Sequence, residues 1–190
     1  TGTATKPLVE IGILDDAGKV LPARTTGEVA FRTICNFGGY WENPEATAAA
    51  ITPDGWFRTG DLGYLDEDDY LFIVDRKKDI IIRGGENISC IEVEEAIYAH
   101  PDVAEASVFG MPDEKFGEQP TGVYLVEDGR TLSEEDLKAF LLQHIAPFKV
   151  PVRLWQETDT LPRLGTEKVD KRALKARYLP VWEAEQKSIG

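Results

Sequence analysis

Alternating apolar and polar positions predict short strands along the first third of the chain. Val9–Leu14 and Gly27–Thr33 carry branched or aromatic side chains at every second position, and turn-forming residues separate them. Pro44 can start a short helix, since proline is tolerated in a first turn whose amide has no partner. A further strand is predicted over Tyr70–Val74. The pattern therefore indicates a strand-rich part with one short helix.

The pattern changes after Asp75. Residues 75–79 are five charges in a row, DRKKD, and the chain beyond them alternates strand and helix periods. A charged connector of this kind indicates a domain boundary. We therefore expect one part over residues 1–74 and another over residues 75–190.

Three helices and several short strands are predicted beyond this boundary. Two of the helices begin with a capping signal, a serine followed three residues later by an acidic residue: Ser89 with Glu92, and Ser133 with Asp136. The other elements are strands over Val103–Phe109 and Gly122–Val126 and a last helix that begins near Asp170. This order predicts an α+β fold with a short mixed or antiparallel sheet.

The composition is that of a folded, acidic protein. The 190 residues are 42% hydrophobic and carry 21 Lys and Arg against 34 Asp and Glu, a net charge of −13. The apolar share is large enough for a core, and the excess of negative charge disfavours general binding to nucleic acid or anionic membranes. No run of apolar residues is long enough to predict a transmembrane segment.

The cysteines and the N-terminal residues indicate the cellular compartment and whether the chain is part of a longer protein. Cys35 and Cys90 lack the spacing of a zinc site or a disulfide framework, so we expect no metal ligands in this chain and a reduced, cytoplasmic location. The chain begins at Thr1 without a signal-peptide pattern, and we expect it to be part of a longer protein.

The string Trp56–Asp61, WFRTGD, is a candidate for ligand chemistry. It predicts a tight turn that presents the Asp61 carboxylate, which can accept two hydrogen bonds side by side from a vicinal diol such as a ribose. Alternatively, Asp61 caps its own backbone. Arg76 can pair with Asp61, contact a phosphate or belong to a solvated charge run.

Gly84 and Gly85 follow a predicted strand. Two glycines permit a positive φ and the close approach of a ligand to the backbone, but they also suit a simple strand-to-helix turn before Ser89. Both alternatives remain open at this stage.

Lys168 lies in a loop just before the last helix. Its ammonium group could swing towards negative charge on a phosphate. Residues 149–177 carry eight basic and four acidic side chains, a local excess of +4 that favours an anionic ligand, although a solvated helix face explains part of it. His100 and His144 are predicted at helix ends, where packing or dipole roles are common. No phosphate-binding glycine loop occurs in this chain.

Taken in order, these strings resemble the C-terminal part of the AMP-forming acyl-CoA synthetases, in the adenylate-forming superfamily. The resemblance covers nearly the whole chain and rests on these motifs: GYWxxPxxT at 39–47, WFRTGD at 56–61, DRKKD at 75–79, RGGEN at 83–87, and LPR at 161–163 leading to Lys168. The GGEN form is most similar to the medium- or long-chain fatty-acid and carnitine-type CoA ligases.

The resemblance implies a fold and an activity. Residues 1–74 would be the barrel-like end of a large N-terminal domain, most of which is missing here together with its phosphate loop and acyl pocket. Residues 75–190 would be the mobile C-terminal domain. The parent enzyme would join a carboxylic acid, here a fatty acid, to CoA through an acyl-AMP intermediate, with ATP as substrate and Mg²⁺ accompanying it.

The resemblance also implies roles for single residues. Asp61 would hold the ribose hydroxyls and Arg76 would lie beside the same nucleotide, while Lys168 would stabilise charge during adenylation. Lys78 would be the pivot between the domains. The three residues along the pantetheine arm of CoA would be Gly84, Gly85 and Phe116.

Two residues depart from the family pattern. Glu167 stands where glycine is usual and could pair with Lys168, and Val150 stands where some relatives carry a cation for the CoA phosphates. We expect the isolated chain to be inactive. The competing interpretations are an adenylating enzyme that acylates a carrier protein and a non-catalytic module that binds a nucleotide or a protein partner.

Overall fold

The computed structural model describes residues 8–189, except for the side chain of Ile189. The chain divides into two compact units, one ending at Lys78 and the other beginning at Asp79. No helix among the described residues has both the length and the apolar character needed to cross a membrane.

The first unit is a four-stranded antiparallel sheet with one short helix. Its elements are β1 (Val9–Leu14), β2 (Gly27–Thr33), α1 (Pro44–Ala50), β3 (Phe57–Leu65) and β4 (Leu71–Arg76). The strands pair in chain order, and within the described residues no β1–β4 pairing closes them into a barrel. Asn43 caps α1 by accepting the Ala46 amide at 2.9 Å. A small core forms where Trp56 packs with Leu14 and Ala30.

The second unit confirms the α+β prediction, with a mixed sheet and three α-helices. Its elements are β5 (Ile81–Arg83), β6 (Glu86–Ile88), α2 (Cys90–Tyr98), β7 (Val103–Asp113), β8 (Gly117–Val126), α3 (Glu134–Leu141), β9 (Arg153–Glu157) and α4 (Lys171–Ile189). The sheet order is β6-β5-β8-β7, and β9 adds to β8 in parallel. One short 3₁₀ turn, Pro147–Lys149, lies in this unit, and another, Lys77–Asp79, spans the boundary between the units.

Helices pack on both faces of this sheet. Neighbouring residues of a strand point to opposite faces, so apolar side chains are available on each. Val108 belongs to the cluster that includes residues of α2 and α3, whereas the next residue, Phe109, belongs to a second cluster with Leu174 and Trp182 of α4. Burial of these apolar side chains is the main driving force for packing. The loop that precedes α4 is thereby attached to one face of the sheet.

Both predicted serine caps are confirmed. Ser89 accepts the Glu92 amide at 3.2 Å and starts α2. Ser133 accepts the Asp136 amide at 3.1 Å and starts α3. Each cap satisfies a backbone donor that has no partner inside its helix.

Candidate functional site

Asp61 lies in a bulge of a strand and not in the tight turn that the sequence predicted. Strand β3 runs through the string, and residues 59–61 stand opposite the single residue Val29 of β2. Thr59 Oγ1 donates to the Val29 carbonyl at 2.8 Å and accepts the Asp61 amide at 3.0 Å, while Gly60 has a φ of +77°. Bulges of this kind re-aim side chains at a sheet edge or near a site.

Asp61 and Arg76 are brought together by the pairing of β3 with β4. They face each other in register, and Arg76 Nε donates to Asp61 Oδ1 at 3.3 Å. The Asp61 side chain is 38% exposed and that of Arg76 is 48% exposed. Exposed ion pairs contribute little to stability, so both groups can exchange this contact for a ligand. The carboxylate keeps further acceptor positions for hydroxyl groups.

The residue before Lys78 is firmly held within the first unit. Lys77 Nζ donates to Asp16 at 2.8 Å and to the buried Glu28 at 3.3 Å, and Glu28 also accepts Arg58 Nη1 at 2.7 Å. The hydrogen bond to Asp16, with further help from Glu28, raises the pKa of Lys77 against the opposing effect of burial. Lys78 itself is exposed and is the last residue of this unit.

Gly84 and Gly85 form the turn of a β-hairpin and not the strand-to-helix turn that was one alternative from the sequence, while close approach of a ligand stays a prediction. They join β5 to β6 with φ values of +59° and +91°. Two successive positive φ angles match the twist of a two-residue hairpin, and glycine adopts them without strain. A Cβ at Gly84 would lie 3.2 Å from the Phe116 ring, whereas a Cβ at Gly85 would meet nothing within 4 Å.

Phe116 lies against this turn and close to two cationic side chains. Its carbonyl accepts the Gly84 amide at 2.8 Å. The Arg83 guanidinium lies 4.5 Å from the centre of the ring, and Lys115 Nζ lies 5.0 Å from it. Both cations face the negative π-surface of the ring. Gly84, Gly85 and Phe116 therefore form one surface, which also carries positive charge.

The loop that holds Phe116 is organised by Asp113. Its Oδ1 accepts the amides of Lys115 at 3.0 Å and Phe116 at 2.7 Å, and its Oδ2 accepts Gln119 Nε2 at 3.3 Å. Burial acts to raise the pKa of Asp113, but these hydrogen bonds outweigh it and lower the pKa below its ordinary value. These three hydrogen bonds tie the loop to the Asp113 side chain.

Lys168 lies in a small hairpin loop directly before α4. Arg163 and Val169 form a β-bridge, and the Leu164 amide donates to the Lys168 carbonyl at 2.8 Å. The Lys168 side chain is exposed, and within residues 8–189 it has no ion pair, including none with Glu167. Because the backbone is fixed at this residue, movement of the ammonium group relative to the second unit comes from the side chain.

The positive charge expected over residues 149–177 is largely neutralised. Six of the eight basic side chains form ion pairs with glutamates: Lys149–Glu92, Arg153–Glu134 and Glu185, Arg163–Glu105, Lys171–Glu94, Lys175–Glu118 and Arg177–Glu157. Five of these six basic side chains pair with glutamates from outside the segment, which a local charge count could not detect. In the described chain, Lys168 and Arg172 are the two that have no such partner.

The histidines have packing roles. His144 Nδ1 lies 2.8 Å from the Phe140 carbonyl, and both His144 and His100 pack on the Phe140 ring. Across the described residues, no group of three or more His, Cys, Asp or Glu side chains is placed to hold a metal ion.

The structure brings five of the seven predicted site residues together in two separate groups, and Lys78 and Lys168 belong to neither group. Asp61 and Arg76 are together in the first unit, and the Gly84 turn with Phe116 is in the second, where Lys168 belongs to a separate loop. Sequence reasoning missed the contact between Arg163 and Glu105 at this loop and the cations beside Phe116. Only the LPR string drew attention to Arg163, and nothing in the sequence pointed to Glu105.

Comparisons with known proteins define the class. Residues 92–168 match the model of the AMP-binding enzyme C-terminal domain. The chain is 44% identical over 184 residues to 2-succinylbenzoate–CoA ligase of Geobacillus kaustophilus, covering 96% of this chain and 37% of that protein. It is 41% identical over 172 residues to the fatty acid–[acyl-carrier-protein] ligase ScoC of Streptomyces coeruleorubidus, covering 90% and 33%.

A solved structure extends the likeness to the fold. ATP-bound MatB from Rhodopseudomonas palustris superposes with a TM-score of 0.88 at 37% identity, over 96% of this chain and 36% of that one. The chain spans about a third of the length of the curated relatives it matches. The likeness therefore extends over residues of both units. The chain belongs to the family of adenylate-forming enzymes, and its second unit contains an AMP-binding enzyme C-terminal domain.

Proposed function

We propose that this chain is the C-terminal part of an AMP-forming acid–thiol ligase. The full-length enzyme would convert a carboxylic acid, ATP and CoA into acyl-CoA, AMP and diphosphate through an acyl-AMP intermediate. The observation that carries this proposal is the similarity to proteins named CoA ligases, which extends over both units and 96% of the chain. The upstream domain, with the phosphate loop and the acyl pocket, is the partner that the chain requires.

In this proposal, Asp61 binds the ribose hydroxyls and Arg76 lies beside the same nucleotide. Their mutual contact is exposed and weak, which supports an exchange for ligand contacts. Lys168 stabilises the charge that develops during adenylation, and its lack of a counter-ion in the described chain leaves its charge available. Mg²⁺ would enter as part of the ATP complex, and no residue of this chain is assigned to it.

Gly84, Gly85 and Phe116 form the path of the pantetheine arm. The open space above Gly85 and the adjacent aromatic ring support this role, since a glycine lets a ligand approach the backbone closely. Lys78 is the pivot of the rotation between the two half-reactions.

The acyl group in this proposal is a medium- or long-chain fatty acid, which the name of ScoC supports. The relatives act on varied acids, as the 2-succinylbenzoate ligase shows by its name. A series of acids tested with the full-length protein, ATP and CoA, with release of AMP as the readout, would settle the substrate. Turnover of 2-succinylbenzoate without turnover of any fatty acid would contradict the fatty-acid proposal.

A carrier protein is the second candidate acceptor, and the name of ScoC is the observation that favours it. The full-length protein can be incubated with ATP, a fatty acid and either CoA or a phosphopantetheinylated carrier protein. We expect acyl transfer to CoA. Transfer to the carrier alone would replace the CoA ligase proposal.

The isolated 190-residue chain is expected to catalyse no exchange of pyrophosphate into ATP. No phosphate-binding glycine loop occurs in its sequence, so the triphosphate has no cradle here. The measurement is incorporation of labelled pyrophosphate into ATP, with the full-length protein as the positive control. Exchange by the isolated chain would show that the adenylation machinery lies within these residues.

Gly85→Ala is expected to raise the KM for CoA in the full-length enzyme and to leave adenylation unchanged. The added methyl group would fill the space above the turn, and one methyl group in a binding pocket changes affinity by about 10-fold or more. Steady-state kinetics with varied CoA provides the measurement. Gly129→Ala is a matched control because Gly129 also has a positive φ, +74°, and open space around it. An equal effect of both variants would mean that backbone strain alone is responsible.

A further inference from the structure

The loop that carries Lys168 is closed by backbone hydrogen bonds at its base and its tip. The Leu164 amide donates to the Lys168 carbonyl at 2.8 Å, and the Glu167 amide donates to the Leu164 carbonyl at 2.9 Å. Glu167 has a φ of +62°, a conformation that is uncommon for a residue with a side chain. The residue next to Lys168 therefore adopts a strained backbone that other contacts must hold in place.

Arg163 supplies such a contact. Its Nη1 donates to the Glu167 carbonyl at 2.9 Å, and its Nη2 donates to Glu105 Oε2 at 2.8 Å. The planar guanidinium can hold two acceptors at a fixed separation, which a lysine cannot do. Arg163 thus connects the strained residue of the loop to a carboxylate of another element.

Glu105 gives this connection a rigid base. It lies on β7, paired with Leu125 of β8, and its side chain is 17% exposed, whereas that of Arg163 is 40% exposed. A largely buried carboxylate is costly to leave without a partner, so the arrangement favours a persistent contact. The path from the sheet to the loop consists of two charge-assisted hydrogen bonds, which are stronger than neutral ones.

We propose that Arg163 and Glu105 are positioning residues for Lys168, an inference that rests on the proposed role of Lys168 in adenylation. Glu105 orients Arg163, and Arg163 holds the Glu167 carbonyl, which fixes the peptide that leads into Lys168. The lysine is thus presented from a rigid loop, and neither positioning residue contacts the substrates.

Kinetics of the full-length enzyme test this proposal. Arg163→Ala is expected to lower the kcat of adenylation about 100-fold, since a displacement of about 1 Å at a reacting group has this order of effect. Glu105→Gln, which can still accept a weaker hydrogen bond, is expected to lower it about 10-fold. The KM for ATP and the rate of thioester formation from supplied acyl-AMP are expected to be unchanged.

A double-mutant comparison separates positioning from independent effects. In a Lys168→Ala background, Arg163→Ala and Glu105→Gln are expected to cause no further loss of adenylation, because they act through the lysine. A multiplicative further loss would overturn the proposal. A rise in the KM for ATP in Arg163→Ala would also overturn it, because Arg163 would then bind the nucleotide directly.

Hydrogen exchange in the 190-residue chain tests the structural step without catalysis. Arg163→Ala is expected to speed exchange of the Leu164 and Glu167 amides about 10-fold or more, the effect of losing a hydrogen bond to a charged group. Arg177→Ala is the matched control, since its ion pair with Glu157 has the same length of 2.8 Å. Unchanged exchange in Arg163→Ala would overturn the positioning step.

The two levels of the proposal fail in different ways. Normal adenylation by Lys168→Ala would refute the role proposed for the lysine, and the positioning role would fall with it. Slow adenylation by Lys168→Ala together with normal adenylation by Arg163→Ala would refute the positioning role alone.

Discussion

Lys168→Ala in the full-length enzyme is expected to slow adenylation by about 10²–10³-fold, which corresponds to about 3–4 kcal/mol of barrier height. The lysine offers a compact positive charge from a backbone that is fixed by the Leu164 hydrogen bond, and in the described chain no carboxylate neutralises it. A preorganised cation of this kind stabilises the developing charge of the transition state more than the ground state. Thioester formation from supplied acyl-AMP is expected to continue at the wild-type rate.

Arg172→Ala is the matched control for this variant. Arg172 is the other basic residue of the 149–177 segment that lacks an ion pair among the described residues, and it is also exposed. Its loss removes the same charge from the same region, a few residues away. Rapid-quench measurement of acyl-AMP formation distinguishes the two variants. Equal slowing of both half-reactions in Lys168→Ala would contradict a role specific to adenylation.

Local patterns in the sequence predicted the secondary structure well wherever the signal lay within a few residues. Val9–Leu14 and Gly27–Thr33 are strands with the predicted bounds, and Ser89 and Ser133 are helix caps. Alternation of apolar side chains and a serine-to-acid spacing of three residues act through neighbours in the chain, so one sequence reveals them.

Features that depend on distant partners were missed or misinterpreted. Asp61 was expected at the tip of a tight turn formed by the string WFRTGD, but pairing of β3 with β2 and β4 makes this part of the string a bulge. For Gly84 and Gly85 the sequence left open close approach of a ligand or a strand-to-helix turn. It missed the hairpin because β6 has three residues and too little pattern to be detected. Its pairing with β5 decides the outcome.

The electrostatics of the candidate site also depend on residues that are distant in the sequence. The excess of +4 over residues 149–177 is correct as a count, yet glutamates from distant elements such as Glu105 and Glu94 neutralise most of it. The sequence could select Lys168 as a candidate by resemblance. It could not show that this lysine lacks an ion pair in the described chain, because that depends on which carboxylates the fold brings near Lys168.

Lys78→Pro is expected to slow thioester formation by about 10²-fold and adenylation by much less. Hydrogen bonds hold the residues on both sides of Lys78. In the first unit, Lys77 donates to Asp16 and Glu28. In the second unit, the Cys90 thiol donates to the Asp79 carbonyl at 2.7 Å. In the proposed rotation between the half-reactions, we therefore expect the backbone angles near Lys78 to absorb the movement. Proline fixes φ near −65°, and an incompatible φ costs about 3 kcal/mol, or about 10²-fold.

Lys78→Ala separates the backbone effect from loss of the side chain. Both variants remove the same exposed ammonium group, but alanine leaves φ unrestricted. Single-turnover measurements of acyl-AMP formation and of its consumption by CoA give the two rates separately. We expect Lys78→Ala to match the wild type in both, so that the ratio of the two rates changes in the proline variant alone. If Lys78→Pro keeps both rates, the pivot lies elsewhere, because the rotation then does not use the φ of this residue.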